Sequence, residues 1–175
     1  MGNFSKRVLL VIDMQNDFID GALGTKEAVA IVENVKKKIE MYRQNGGIII
    51  FTRDTHGQNY LETMEGKKLP VKHCLKNTKG WEITSEIDTA DDKIIDKPTF
   101  GSIELAEYLE TLEEVEVIEI VGLCTDICVI TNAMIVKAKL PEKVIIVDSS
   151  CCAGVTPESH LNALKALQMC HIEVR

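Results

Sequence analysis

The sequence predicts an α/β protein of three layers, in which helices cover both faces of a six-stranded, mostly parallel sheet. Short apolar runs rich in Val and Ile alternate with amphipathic segments, which is typical of buried parallel strands joined by helices. The links between them are short, so right-handed crossovers are expected. No repeat or linker interrupts this alternation, and residues 1–175 are therefore predicted to form a single domain.

Six runs have the composition of buried strands. In chain order they are residues 7–12, 47–52, 93–96, 115–121, 143–147 and 171–174. Between them, apolar side chains spaced three and four residues apart predict two amphipathic helices. Their apolar stripes consist of Ala28, Val32, Val35, Ile39 and Tyr42, and of Leu105, Tyr108, Leu109 and Leu112. Gly46 suits the C-terminal stop of the first of these helices, and Thr156-Pro157 suits the start of a later one.

Composition excludes several classes of function. The chain has 175 residues with 20 Lys+Arg against 27 Asp+Glu, a net charge of −7, and so lacks the basic footprint of a nucleic-acid-binding protein. The one basic run, residues 36–38, is interpreted as a solvated helix face. No apolar run approaches the ~20 residues of a membrane span, and without a secretory leader a cytoplasmic location is expected. The six cysteines are then expected to be reduced thiols.

Polar and reactive residues follow the predicted strands, where open parallel sheets bind their ligands. Asp13 follows the first strand, Asp54 the second, Lys97 the third, residues 122–128 the fourth and Asp148 the fifth. Asp residues often cap the helices that follow strands, which accounts for Asp148. Capping explains neither a lysine nor a cysteine at such a position.

Cys128 is the most specific of these residues. A helix is expected to begin near Thr125 or Asp126, which places the thiol in the first turn, where free N–H groups favour a thiolate. Lys97 would add positive charge, and Asp13 would accept a proton and return it to a leaving amine. The backbone N–H groups of Cys124 and Cys128 would hold an oxyanion.

Two other interpretations of these residues stand beside the catalytic one. Spacing alone is equally compatible with Cys128 as a buried core thiol. An Asp directly after a first strand is also a common phosphatase nucleophile, but Gln15 stands where the partner acid is expected, which argues against that reaction.

A long stretch without periodicity, residues 54–81, is predicted to be a functional loop. Asp54 and His56 lie two residues apart, hence on the same side of an extended segment, and Glu65 and His73 follow in the same loop. These four side chains suit Zn²⁺, Mn²⁺ or Fe²⁺, although their spacing matches no strong zinc motif. From the residues alone, surface carboxylates and loop histidines are the simpler interpretation.

Three motifs together resemble the nicotinamidase and isochorismatase-like cysteine hydrolases. They are Val-Ile-Asp-Met-Gln-Asn-Asp-Phe at 11–18, the lysine after a short strand, and Gly-Leu-Cys-Thr-Asp-Ile-Cys-Val at 122–129. The resemblance spans nearly the whole chain. It implies a Rossmann-like six-stranded parallel sheet, a catalytic triad of Asp13, Lys97 and Cys128, and a cis peptide bond before Cys124.

The resemblance also implies a divalent metal held by Asp54, His56, Glu65 and His73, with Zn²⁺ the first choice and Mn²⁺ or Fe²⁺ as alternatives. In such enzymes the metal anchors the pyridine nitrogen of nicotinamide, away from the thiol. Members often self-associate, which leaves a homo-oligomer open as an alternative to a monomer.

The implied activity is hydrolysis of nicotinamide or a similar small carboxamide to the acid and ammonia. Phe18 and Phe100 are candidates to pack against a flat ring, and Trp81 and Tyr60 are further candidates for pocket walls. The sequence after Lys97 and the Leu69-Pro70 pair depart from some relatives, so two alternatives stay open. One is a thiol hydrolase acting on an N-carbamoyl or ureido compound, and the other is a non-catalytic binding module.

Overall fold

The computed structural model of the chain describes residues 4–175 and contains one six-stranded sheet. The strands are β1 (Arg7–Ile12), β2 (Ile48–Asp54), β3 (Lys93–Lys97), β4 (Val117–Leu123), β5 (Val144–Ala153) and β6 (Glu173–Val174). They pair in the order β3-β2-β1-β4-β5-β6, and every pair is parallel. The predicted fold is thus confirmed, while the first three residues of the predicted domain lie outside the described residues.

Helices cover both faces of this sheet. They are α1 (Asn16–Ile19), α2 (Lys26–Gln44), α3 (Met64–Lys68), α4 (Ile103–Glu110), α5 (Ile130–Lys139) and α6 (Pro157–Met169). Side chains of α1 and α2 pack into one apolar cluster, and those of α4, α5 and α6 into a second cluster on the other face. Within residues 4–175, no helix is both long enough and apolar enough to cross a membrane.

The helix ends follow the signals in the sequence. Thr25 caps α2 by accepting the N–H of Ala28 at 3.0 Å, and Gly46 lies just beyond its end with a φ of 74°. Thr156 caps α6, with Pro157 as the first helical residue. A π-helical turn, Thr125–Val129, leads directly into α5, so the helix begins where the sequence predicted it.

β5 differs most from its predicted form. It continues past residue 147 to Ala153, with an irregularity in its pairing to β4, so Asp148 lies inside the strand rather than at its end. Asp148 is neither a helix cap nor part of the ligand edge, because its carboxylate lies 2.6 Å from the ammonium of Lys38. Lys38 is therefore largely buried, and the prediction that residues 36–38 form a solvated face is wrong for this lysine.

The order of the strands determines where a ligand can bind. The chain moves outward from β1 to β2 and β3, then returns to β4 on the other side of β1, which opens a crevice at the carboxyl ends of β1 and β4. Gly122 allows β4 to approach β1 closely at this point. Its φ is 115°, and a Cβ there would lie 2.1 Å from the carbonyl oxygen of Ile12.

Candidate active site

Three side chains from distant parts of the sequence meet at this crevice. Asp13 follows β1, Lys97 ends β3, and Cys128 lies in the helical turn after β4. The Nζ of Lys97 is 2.6 Å from Oδ2 of Asp13 and 3.5 Å from Sγ of Cys128. Asp13 and Lys97 are both 0% exposed and Cys128 is 3% exposed. Thr52 completes the group by donating its hydroxyl to Oδ1 of Asp13 at 2.6 Å.

Burial determines the direction of the pKa shifts of Cys128 and Asp13, but not of Lys97. It raises the pKa of the Cys128 thiol well above its ordinary value, and the Lys97 ammonium offsets this only in part. Burial likewise raises the pKa of Asp13, against the opposite effect of Lys97. Burial would lower the pKa of Lys97, but the carboxylates of Asp13 and Asp54 outweigh it and keep the ammonium protonated. The expectation that the helix terminus and Lys97 would yield a thiolate is therefore wrong for the free protein.

The turn that carries Cys128 is fixed at its start. The Leu123-Cys124 peptide bond is cis, which agrees with what the family resemblance implies. The Thr125 hydroxyl lies 2.8 Å from Nδ1 of His160 on α6, and the Asp126 carboxylate accepts the N–H of Val155 at 3.1 Å. Because a first helical turn leaves its N–H groups without intrahelical partners, this turn can offer backbone donors to an oxyanion.

The four predicted metal ligands also come together. One ligand atom from each of Asp54, His56, Glu65 and His73 lies within 4.8 Å of the others. Asp54 ends β2, and its Oδ2 is 2.9 Å from Nε2 of His56 and 3.7 Å from Nε2 of His73. Oε1 of Glu65, from α3, is 3.5 and 3.6 Å from the same two nitrogens.

This donor set fits a divalent cation. Nε2 of His56 is buried and makes no hydrogen bond within the described part of the chain, although it faces two carboxylates. Nδ1 of His73 lies 2.8 Å from the carbonyl oxygen of Val71, an arrangement that directs the other ring nitrogen toward a metal. Burial would raise the pKa of Asp54, but the two histidines and Lys97 outweigh burial and hold it well below its usual range.

A cavity of about 530 Å³ joins the thiol to the metal-ligand cluster. Its lining residues include Cys124 and Cys128, all four predicted metal ligands, and the two predicted ring-binding residues, Phe18 and Phe100. Trp81 and Tyr60, the further candidates, do not line it. Trp81 donates its indole N–H to Thr55, and Tyr60 is fully buried beside the two histidines.

Sequence reasoning missed the role of Gln15, which holds the end of β2 against the loop at Trp81. Its side chain accepts the N–H of Asp54 at 2.7 Å and donates to the carbonyl oxygens of Asp54 and Trp81 at 2.9 and 2.7 Å. Asp17 supports the same loop by accepting the N–H of Cys74 at 2.7 Å. A polar side chain two residues after Asp13, predicted to lie beside a buried strand, was the available signal.

Fold and site together define a hydrolase whose thiol lies at the carboxyl edge of a parallel sheet. The sequence profile of the Isochorismatase domain matches residues 7–175, and the chain belongs to the isochorismatase family.

The chain is similar to several proteins of this family at 26–32% sequence identity. The chain is 32% identical over 171 residues to a "probable inactive nicotinamidase" of Arabidopsis thaliana, covering 87% of this chain and 83% of the relative. It is 26% identical over 174 residues to a nicotinamidase of Saccharomyces cerevisiae, covering 73% and 80%. The match to an isochorismatase family protein of Bacillus subtilis, at 28% identity, spans 73% of this chain and 64% of that protein, less than two thirds of its length.

The fold also matches solved structures. A pyrazinamidase of Pyrococcus horikoshii in complex with zinc superimposes with a TM-score of 0.85 at 28% identity, covering 97% of this chain and 98% of that chain. The family assignment predicted from the three sequence motifs is thus confirmed.

Proposed function

We propose that the chain is a cysteine-dependent amidohydrolase of the nicotinamidase type, which converts nicotinamide or a similar small carboxamide into the acid and ammonia. The observation that carries this proposal is the meeting of Asp13, Lys97 and Cys128 beside a cavity that Cys128 lines together with the metal-ligand cluster. The similarity to a yeast nicotinamidase and to a zinc-bound pyrazinamidase supports the same substrate class.

In the first half of the reaction, Sγ of Cys128 attacks the amide carbon and its proton passes to Asp13, so that no free thiolate is needed beforehand. The raised pKa of Asp13 makes its carboxylate a better proton acceptor. Lys97 stays charged and stabilises the negative charge that develops on sulfur. The backbone N–H groups of Cys124 and Cys128 hold the carbonyl oxygen as it becomes an oxyanion.

The tetrahedral intermediate then expels ammonia with the proton from Asp13, leaving a thioester on Cys128. In the second half, Asp13 takes a proton from water as the water oxygen attacks the thioester carbon. The carbon–sulfur bond breaks, the acid leaves, and the thiol regains its proton.

We further propose that Asp54, His56, Glu65 and His73 hold a divalent ion, with Zn²⁺ the first choice. Such an ion supplies a Lewis-acidic contact for a ring nitrogen of the substrate. Phe18 and Phe100 then contact the faces of the ring, and Gln15 keeps Asp54 in place for both halves of the site.

The test of the thiol uses two cysteines that share one environment. Cys128 and Cys152 are both buried in the same apolar cluster, and only Cys128 lines the cavity. We expect Cys128→Ala to abolish ammonia release from nicotinamide and Cys152→Ala to keep it within about twofold, at a similar cost in stability of about 1 kcal/mol. Ammonia release that persists in Cys128→Ala would refute the scheme.

The metal is tested separately by elemental analysis and kinetics. We expect the purified protein to contain a divalent ion, and chelation to raise KM at least about tenfold, with recovery on adding Zn²⁺. His73→Ala should lose the ion, whereas His171→Ala, outside the cluster, should retain it. Activity indifferent to chelation would instead favour a metal-independent activity on another amide.

The second candidate, a non-catalytic binding module, is favoured by the similarity to the Arabidopsis protein, which is described as a probable inactive nicotinamidase. The arrangement of Asp13, Lys97 and Cys128 argues against it. A panel of primary amides, N-carbamoyl compounds and ureido compounds, assayed for ammonia, distinguishes three functions. These are a nicotinamidase-type amidohydrolase, a hydrolase of N-carbamoyl or ureido compounds, and a binding module. Binding of a panel member without turnover of any of them is the result expected of a module.

A further inference from the structure

The cavity is roomier than a single ring with a carboxamide requires. Its volume of about 530 Å³ falls within the range of roughly 300–1,000 Å³ that is typical of pockets for drug-sized ligands. Apart from the thiol and the metal-ligand cluster, most of the lining residues are apolar, and some are open to water, with Met64 70% exposed and Phe100 42% exposed. The further apolar lining residues are Leu23, Leu69 and Ile127. A longer substrate would cover this surface.

Lys68 supplies a positive charge at this cavity that no other group of the described chain uses. The two carboxylates that line the cavity already face other groups, Asp54 the ammonium of Lys97 and Glu65 the two histidines. Lys68 also lines the cavity and, within residues 4–175, makes no ion pair or hydrogen bond through its ammonium. A negatively charged group of a ligand would therefore meet no competing partner there.

The helix that carries Lys68 is held in place. Thr63 caps α3 by accepting the N–H of Gly66 at 3.0 Å, and the Tyr60 hydroxyl donates to the carbonyl oxygen of Leu69 at 2.9 Å. A Cβ on Gly66 would lie 2.0 Å from the carbonyl oxygen of Tyr60, so the helix packs directly on that backbone.

The helical period then determines which lysine faces the cavity. Glu65 and Lys68 are three residues apart and share a face of α3, which explains why both line the cavity. Lys67, one residue earlier, does not line it. The two neighbouring lysines thus differ in their relation to the site while sharing a helix and a charge.

We propose that the preferred substrate is a carboxamide with an apolar body and a terminal carboxylate, which Lys68 binds at the wall of the cavity. This inference rests on the proposed function and narrows its substrate class. Lys68 would be a specificity-determining residue with no part in the chemistry.

The test compares two amides of equal length. One is nicotinamide with a carboxyalkyl chain on the ring, and the other carries a hydroxyalkyl chain in its place. We expect the natural protein and the control variant Lys67→Glu to favour the carboxylate in kcat/KM by about fivefold, as an exposed ion pair permits. Lys68→Glu should lose or reverse the preference, and Lys68→Arg should restore it. Both Glu variants change the net charge equally, so only position distinguishes them.

A binding measurement separates this inference from the proposed function. Calorimetric titration of the same two amides into Cys128→Ala protein, with and without Lys68→Glu, needs no turnover. A carboxylate preference in binding that depends on Lys68 supports its role as the carboxylate-binding residue even if no amide releases ammonia, an outcome that would overturn the proposed function. If nicotinamide is hydrolysed but Lys68→Glu and Lys67→Glu behave alike, the inference is wrong and the proposed function stands.

Discussion

Two clusters of charged side chains are buried on this sheet, and they differ in how completely their charges are matched. The first is the group of Asp13, Lys97 and Cys128 at the carboxyl edge. The second, which we call the α2 network, lies between α2 and the sheet and consists of Arg7, Lys38, Tyr42, Glu119 and Asp148.

In the α2 network every carboxylate has several donors. Glu119 accepts from Arg7 at 3.1 Å, Lys38 at 2.8 Å and Tyr42 at 2.7 Å. Burial alone would raise the pKa of Glu119, but these partners outweigh burial and lower it. The pKa of Asp148 is lowered in the same way, chiefly by Lys38 and Ser150 acting against burial.

At the carboxyl edge, burial outweighs the charged partners in setting the pKa values of Asp13 and Cys128. Lys97 faces two carboxylates and a thiol, and burial prevails, so the pKa values of both Asp13 and Cys128 are raised. Of the two clusters, only the carboxyl-edge cluster borders the cavity, through Cys128. We call the α2 network saturated, because each of its carboxylates has several donors, and such a cluster stabilises the fold. We call the carboxyl-edge cluster incompletely compensated, because the pKa values of Asp13 and Cys128 stay raised and these groups can exchange a proton.

The largest difference between the clusters is expected in catalysis. Asp13→Asn removes the proton acceptor and should lower kcat for ammonia release by about 10³-fold. Asp148→Asn makes the same chemical change in the α2 network and should leave kcat within about twofold. Steady-state assays with nicotinamide measure both values.

Folding of the two Asn variants is checked by circular dichroism. Equal loss of activity in two folded variants would show that buried charge in general, rather than the proton-accepting position, supports turnover.

The sequence predicted the carboxyl-edge cluster because Asp13 and Lys97 directly follow recognisable strands and Cys128 lies in the first helical turn after another. The α2 network was missed because Glu119 lies within an apolar strand and Asp148 at the apparent end of one, and neither position reveals a partner. Lys38 was assigned to the solvent for the same reason, since helical periodicity does not show which lysine finds a buried carboxylate. α3 was missed because five residues give too little periodicity to detect.

For the free energy of unfolding, in contrast to kcat, we expect the larger effect from a change in the α2 network. Glu119→Gln leaves Arg7 and Lys38 partly uncompensated beneath α2, and we expect a loss of about 3 kcal/mol in the free energy of unfolding. Its matched control is Glu116→Gln, because Glu116 pairs with Lys6 at the surface and its side chain is 63% exposed. That change should cost less than about 0.5 kcal/mol.

Urea unfolding of the two Gln variants measures both losses, and ammonia release from folded Glu119→Gln should remain near that of the natural protein. Similar losses for the two variants would mean that the α2 network contributes no more than a surface pair.

The smallest expected effect is on the pH dependence of stability, where the two clusters should act with opposite sign. The lowered pKa values of Glu119 and Asp148 contribute stability above their unfolded values of about 4.3 and 3.9, and this stability is lost as the pH falls through the folded values. The raised pKa of Asp13 contributes stability at low pH, which is lost as the pH rises through the folded value.

Urea titrations between pH 7 and about pH 3 should therefore show a shallower acid decline for Glu119→Gln than for the natural protein. Asp13→Asn should show a steeper decline, because it lacks the group that binds a proton more tightly when folded. The comparison of slopes within one variant cancels its overall loss of stability. Opposite pKa shifts in the two clusters produce opposite changes in proton uptake on unfolding. If the slopes of both variants changed in the same direction, the division into a saturated and an incompletely compensated cluster would be wrong.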